Sequence, residues 1–205
     1  MARTGTTRSR EHQGTGEKLD EIKGWRAYAE LRETETNPRR RKMLANMMDH
    51  YKWECLGEPD KLLEGVHPEA HYRFYGGPEV LHIRGHDEIR AFYQGMADSG
   101  ANRLQLDVDN MLVDDEVVSA HGTWHQVQYG HTLQGDGLAT SDVVDDPDAR
   151  YLTSQRMAWF MPYSDDEEPL LTAEIVFFHP APLEVRKLAD GEEVFGGLTE
   201  DMFRL

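Results

Sequence analysis

Residues 112–133, LVDDEVVSAHGTWHQVQYGHTL, decide how the chain is read. An acidic turn at Asp114 and Asp115 leads into Val117, Val118, Thr123, Trp124, Val127 and Tyr129, a β-branched and aromatic run that predicts one long strand. Side chains alternate across a strand, so Ser119, His121, Thr123 and His125 share one face, and Val118, Ala120, Gly122 and Trp124 the other. Two imidazoles thus stand on one face. Turned into an enclosed cavity they offer proton-transfer chemistry; turned to water they are ordinary surface histidines.

On the N-terminal side, Leu19, Ile22, Trp25, Tyr28 and Leu31 step by three, the spacing of an amphipathic helix over about 18–35. Asn37 and Pro38 are a cap and a first-turn proline, predicting a second helix over Pro38–Leu56. Its stripe is Met43, Met47, Tyr51 and Cys55. Gly57-Glu58-Pro59 breaks it, and Asp60 is expected to cap a short helix that His67-Pro68-Glu69 closes. Two short strands follow, Ala70–Gly76 and Val80–Arg84, then a helix from Gly85. Leu104, Leu106 and Val108 begin period-two patterning that leads into the opening stretch. Beyond it come an acidic, glycine-containing connection over 134–150, a strand Tyr151–Met161, the turn SDDEEP and a last strand LLTAEIVFFHP.

A chain of 205 residues fits one domain with extensions: a mobile tail over 1–18, a helical extension over 19–36, the main domain over 37–182, and a C-terminal extension over 183–205 that wraps the domain or a partner subunit. Asp and Glu total 38 against 22 Lys and Arg, a net charge of -16, so a nucleic-acid partner is not expected. Cys55 alone allows no intrachain disulfide. No apolar run approaches the ~20 residues of a membrane helix, and the basic N-terminus lacks the apolar core of a secretory signal. A cytoplasmic protein without membrane contact is expected.

Helices, two short strands, a helix and then long hairpin strands make an order that suits an α+β domain whose curved antiparallel sheet cups around helices. That order resembles the nuclear transport factor two-like superfamily, and the resemblance implies a cone-shaped α+β barrel with a ligand cavity inside. The cues are Glu58-Pro59-Asp60 after a helix, the His71–Tyr75 strand, GHDEIRAF at 85–92, DDEVVSAH at 114–121, and RMAWF before a turn and a final strand. Together they span about 38–180. The resemblance implies SnoaL-like polyketide cyclases, ketosteroid isomerases and scytalone dehydratase as the nearest enzymes. Relative to the dehydratase, His121 takes the place of a catalytic histidine, Arg156 of a polar pocket residue and Phe74 of a pocket tyrosine. Departures are that its first-helix acid falls near Cys55, with Glu54 one position off, and that its second histidine has no counterpart between Ala101 and Met111.

If His121 faces an apolar cavity closed by Phe74, Met47, Ile175 and Phe177, burial keeps it neutral near pH 7 and fits it to act as a general base. Glu54 or Asp107 would orient it, Tyr51 or Tyr72 would donate to an enolate oxygen, and Arg156 would face developing negative charge. His125 at the cavity mouth and His179 at the end of the last strand complete the expected substrate-binding set. His121 and His125 lie ~13 Å apart at strand rise, too far for joint metal ligation, so no metal or cofactor is expected. Three functions compete: a cofactor-independent lyase or isomerase acting on a small apolar carbonyl compound, a small-ligand-binding or dimeric scaffold protein, and an epoxide-hydrolase-like enzyme using Asp107 or Glu54 beside Arg156. A homodimer or larger homo-oligomer is expected through a convex sheet face carrying Trp124 and Trp159.

Overall fold

The computed structural model describes residues 18–77, 79–135, 143–179 and 184–204. Nearly all of the expected 1–18 tail and the centre of the 134–150 connection lie outside these residues. The elements are α1 (Lys23–Thr34), α2 (Pro38–Leu56), α3 (Pro59–Leu63), β1 (Val66–Tyr75), β2 (Leu81–Arg84), α4 (Gly85–Ser99), β3 (Leu104–Val113), β4 (Val117–Tyr129), α5 (Gly130–Gly135), β5 (Arg150–Pro162), β6 (Leu171–Phe178) and β7 (Glu184–Lys187). The fold is α+β: helices lie on a curved, unclosed seven-stranded sheet of order β2-β1-β6-β5-β4-β3, with β7 paired to β5.

Helix α2 has the bounds its end signals dictate. Asn37 Oδ1 accepts from the N–H groups of Arg39 and Arg40, and Pro38 opens the first turn. At the other end Gly57 adopts φ 68°, while Gly57 N–H and Glu58 N–H return to the carbonyls of Glu54 and Trp53. This is the paired-bond stop that glycine's left-handed conformation permits.

Three expectations need correction. The sheet is mixed, because β1 and β6 run parallel: both start at one end, where Val66 faces Leu171 and Leu171 N–H bonds Gly65 C=O at 2.9 Å. His67-Pro68-Glu69, expected to end a helix, lie instead in β1, as the irregular stretch between the Val66–Leu171 and His71–Ala173 pairs. Strand β4 stops at Tyr129, and residues 130–135 form α5. Gly130 makes that switch: a Cβ there would lie 2.2 Å from Asp146 O, so only glycine lets the returning chain come so close.

The core sits between the helices and the concave sheet face. Met43, Leu44 and Met47 of α2 and Tyr28 of α1 pack on Val118, Ala120, Trp159 and Met161. Trp159 Nε1–H donates to Tyr28 Oη at 3.1 Å, and Tyr163 Oη–H to Met43 C=O at 3.2 Å, closing this end of the cone. Toward the other end the packing opens into a cavity.

Candidate functional site

The cavity, about 950 Å³, lies under the β1–β2 hairpin, between α4 and the inner faces of β4, β5 and β6. Phe74, Phe92, Met96, Trp124, Met157, Val176 and Phe178 make its wall mostly apolar. The aromatic rings interlock: Phe74 stacks on Phe92 at 5.3 Å, and Phe92 meets Tyr93 edge-on at 5.2 Å. Two glutamines on the strand walls are tied to backbone carbonyls. Gln126 Nε2 donates to Ala101 C=O at 2.6 Å, and Gln155 Nε2 to His179 C=O at 2.9 Å.

Whereas Glu79 and His82 stand exposed at the pocket edge, Glu54 from α2, Tyr93 from α4 and Glu174 from β6 are the deeply buried ionisable groups that line it. Behind them, His50 Nε2 lies 3.0 Å from Tyr93 Oη, and Tyr93 Oη lies 3.0 Å from Glu174 Oε2. A tyrosine has one proton, so if Tyr93 donates to the carboxylate, His50 must donate through Nε2–H. Its Nδ1 is then a bare lone pair, and among the described residues it has no partner. An unpaired acceptor is the less costly form of that orphan. His50 and Glu54 are four residues apart on α2, on the helix face turned to the pocket, and both are buried.

Burial sets the charges here. It lowers His50 to a pKa of about 4, so the imidazole is neutral at pH 7. It raises Glu174 to about 7, against a lowering by the Tyr93 hydrogen bond. Glu54 is raised well above the ordinary carboxylate value by burial first and by the neighbouring Glu174 charge second. Burial thus disfavours the charged form of both carboxyls, and leaves Glu174 poised near neutral pH to gain or lose a proton. Tyr72, fully buried next to this group, has a hydroxyl with no partner among the described residues.

The residues expected to form the site are split by the sheet. Glu54 and Phe74 line the pocket, and Tyr72 lies just behind its wall. His121 and Arg156 do not. They stand on the outer face, where Asp109 Oδ2 is 3.6 Å from His121 Nδ1 and is bonded by Arg156 Nη2, while Arg156 Nη1 donates to Thr123 Oγ1 at 3.0 Å. The His121 side chain is 50% exposed and lies outside the cavity. The alternation along β4 was read correctly and its inner face was not: Trp124 and Trp159 point inward, and the histidines point out. His125, Ile175 and Phe177 share that outer face, and Phe177 is exposed and stacked on Tyr75 at 4.7 Å. Asp107 also lies outside, 2.8 Å from Lys23 Nζ and 3.6 Å from His125 Nε2. Met47 is packed in the closed end, and Tyr51 Oη donates to Glu21 C=O at 3.0 Å between α2 and the N-terminal segment. His179 is exposed at the end of β6 and contributes its backbone C=O to Gln155. His50, Tyr93 and Glu174 were missed. The available signal was polar residues on otherwise apolar stripes: His50 and Glu54 continuing the Met43 and Met47 stripe of α2, and Glu174 on the strand face of Val176 and Phe178.

Residues 53–146 match the family model of the SnoaL-like domain. Among solved structures, a protein from Shewanella putrefaciens CN-32 named as a SnoaL-like polyketide cyclase superposes with a TM-score of 0.54 at 11% identity, over 74% of this chain and 86% of that one. A second, from Jannaschia sp. CCS1 and named likewise, gives 0.52 at 16% identity, over 71% and 90%. The fold is the nuclear transport factor two-like one. At such identities the likeness concerns the SnoaL-like fold alone, and no curated protein matches this sequence. The SnoaL-like match takes in Glu54, Tyr72, Phe74 and Tyr93; His50 and Glu174 fall outside its bounds.

Proposed function

We propose that the chain is a cofactor-independent lyase or isomerase that moves a proton next to the carbonyl group of a small, largely apolar compound. The observation carrying this reading is a pair of carboxyl groups, Glu54 and Glu174, lining an aromatic pocket with both pKa values pushed upward. Glu174 as carboxylate takes the proton from the carbon beside the carbonyl, and the electron pair moves to the carbonyl oxygen. Protonated Glu54 donates a hydrogen bond to that enolate oxygen as its charge develops. Return of the proton to another carbon gives double-bond migration; loss of a β-hydroxyl as water gives dehydration; attack of the enolate carbon on a second carbonyl gives ring closure. The base is thus Glu174, in place of His121. The hydrolase reading required Arg156 in the pocket, and its guanidinium is held by Asp109 outside.

Deuterium exchange tests the shared first step without knowledge of the product. A panel of cyclic and aromatic ketones and enones in D2O, followed by proton NMR, is expected to show exchange beside the carbonyl with the wild type. Glu174→Gln should slow it at least ~100-fold, the range of general-base contributions, while His121→Asn leaves it unchanged. Exchange that survives Glu174→Gln, or vanishes in His121→Asn, would overturn the assignment.

A further inference from the structure

On the outer face of the β1–β2 hairpin, four side chains stand in cross-strand register: His71 opposite Arg84, and Arg73 opposite His82. Arg73 Nε–H and Arg84 Nε–H both donate to His82 Nε2, each at 3.3 Å. An imidazole nitrogen accepting from two guanidiniums must carry its lone pair, so His82 is neutral with its proton on Nδ1. It works as a spacer that holds two arginines by their Nε edges, and their terminal nitrogens have no hydrogen-bond partner among the described residues. The His71 ring stands edge-on to His82 at 6.4 Å.

The pair also lacks a counter-charge. The chain carries 38 acidic against 22 basic residues, and most described arginines have a carboxylate, as Arg90 has Asp60 and Arg150 has Glu193, while Arg39 and Arg41 donate to backbone carbonyls. Neither Arg73 nor Arg84 has one within 4.0 Å among the described residues. Two acids stand near. Glu88 Oε2 accepts from Arg84 backbone N–H at 2.7 Å, and Glu69 lines the cleft with Pro68 but makes no ion pair with either arginine among the described residues. His71, Arg73 and Arg84 line a cleft of about 410 Å³. Two like charges held on one acceptor repel each other, and an anion between them relieves that repulsion. Guanidinium forks match the oxygen spacing of a phosphoryl group, with two donors per arginine.

We propose that this cleft is a binding site for a phosphate dianion, free or as a phosphomonoester, separate from the pocket on the inner face. Arg73 and Arg84 grip the phosphoryl oxygens from two sides, and His71 contributes an N–H at the edge.

The test is a titration of the full chain with inorganic phosphate and with phenyl phosphate at low salt, read by the histidine ring and arginine Nε signals in NMR. Saturable shifts centred on His71, His82, Arg73 and Arg84 are expected. Arg73→Gln and Arg84→Gln should each weaken binding about tenfold or more, as expected for losing charge-assisted hydrogen bonds. Arg150→Gln, at a paired surface arginine, should not. Equal affinity for the two probes assigns the site to the phosphate group itself, and tighter binding of phenyl phosphate assigns it to an ester. Shifts that fail to saturate in the millimolar range, or that neither Arg73→Gln nor Arg84→Gln weakens, would overturn the proposal.

Discussion

Glu174 and His50 sit on either side of one tyrosine hydroxyl, and burial moves their pKa values in opposite directions, to about 7 and about 4. Glu174 binds its proton more tightly folded than unfolded. Its contribution therefore favours the native state below pH 4.5 and is lost as pH rises through 7. His50 binds its proton less tightly folded, so its contribution is intact above pH 6.5 and is lost as pH falls through 4. Between 4.5 and 6.5 the two slopes oppose, and wild-type stability hides both. Glu174→Gln removes one of them. Its unfolding free energy, minus that of the wild type, is expected to grow by about 3 kcal/mol from pH 4.5 to 7, measured by urea unfolding across that range. A difference that stays flat would mean that Glu174 titrates normally. Tyr93→Phe tests the same chain from its middle. The Tyr93 hydrogen bond lowers Glu174, so losing it should move the rising limb of the pH–rate profile upward.

At the scale of an element, β3 and β4 carry the lesson about what sequence can tell. Alternation grouped His121 with His125, and Ala120 with Trp124, and both groupings hold. It could not say which group faces inward, because both faces mix polar and apolar residues: the inner one bears Gln126 and Gln128, the outer one Val127. The decision is made by what packs on the sheet. Helix α2 brings Met43 and Met47 against Trp159 and Met161, and that fixes every residue of β4 through its register with β5. Helix bounds were easier to read, because Asn37, Pro38 and Gly57 are local signals. A bulge was not legible: Gly122 pairs Val108 and His121 pairs Asn110, leaving Asp109 as the extra residue, turned out to Arg156. Gly122 is required there, since a Cβ would fall 2.0 Å from Asp107 O. Gly122→Ala should cost about 2 kcal/mol in chemical denaturation, within the range for overpacking, and should disturb the Arg156–Asp109 contact seen by NMR. An unchanged midpoint would show that the strands separate at no cost.

On the scale of the whole molecule, the segments outside the cone meet at Arg103. Its guanidinium bonds the buried Glu21 carboxylate, at 2.7 Å from Nη2 to Oε2, and reaches Gly196 C=O from the C-terminal segment. The same group lies over the Phe195 ring at 5.5 Å, and Leu19 N–H bonds Val194 C=O at 2.7 Å. Phe203 then meets Trp25 edge-on at 5.9 Å, so both ends of the described chain are packed against one flank of the domain. Glu21 is 3% exposed, and its backbone C=O also accepts from Tyr51. A carboxylate so placed is stable only with its cation. Arg103→Met retains most of the aliphatic stem and strands the charge, which should destabilise the fold by about 3–5 kcal/mol. Adding Glu21→Gln removes the stranded charge and should recover most of that loss, because an uncompensated ion costs more than a missing pair. Urea unfolding followed by tryptophan fluorescence measures both variants. If the double variant is no more stable than Arg103→Met alone, the joint depends on packing around Phe195 and not on the ion pair.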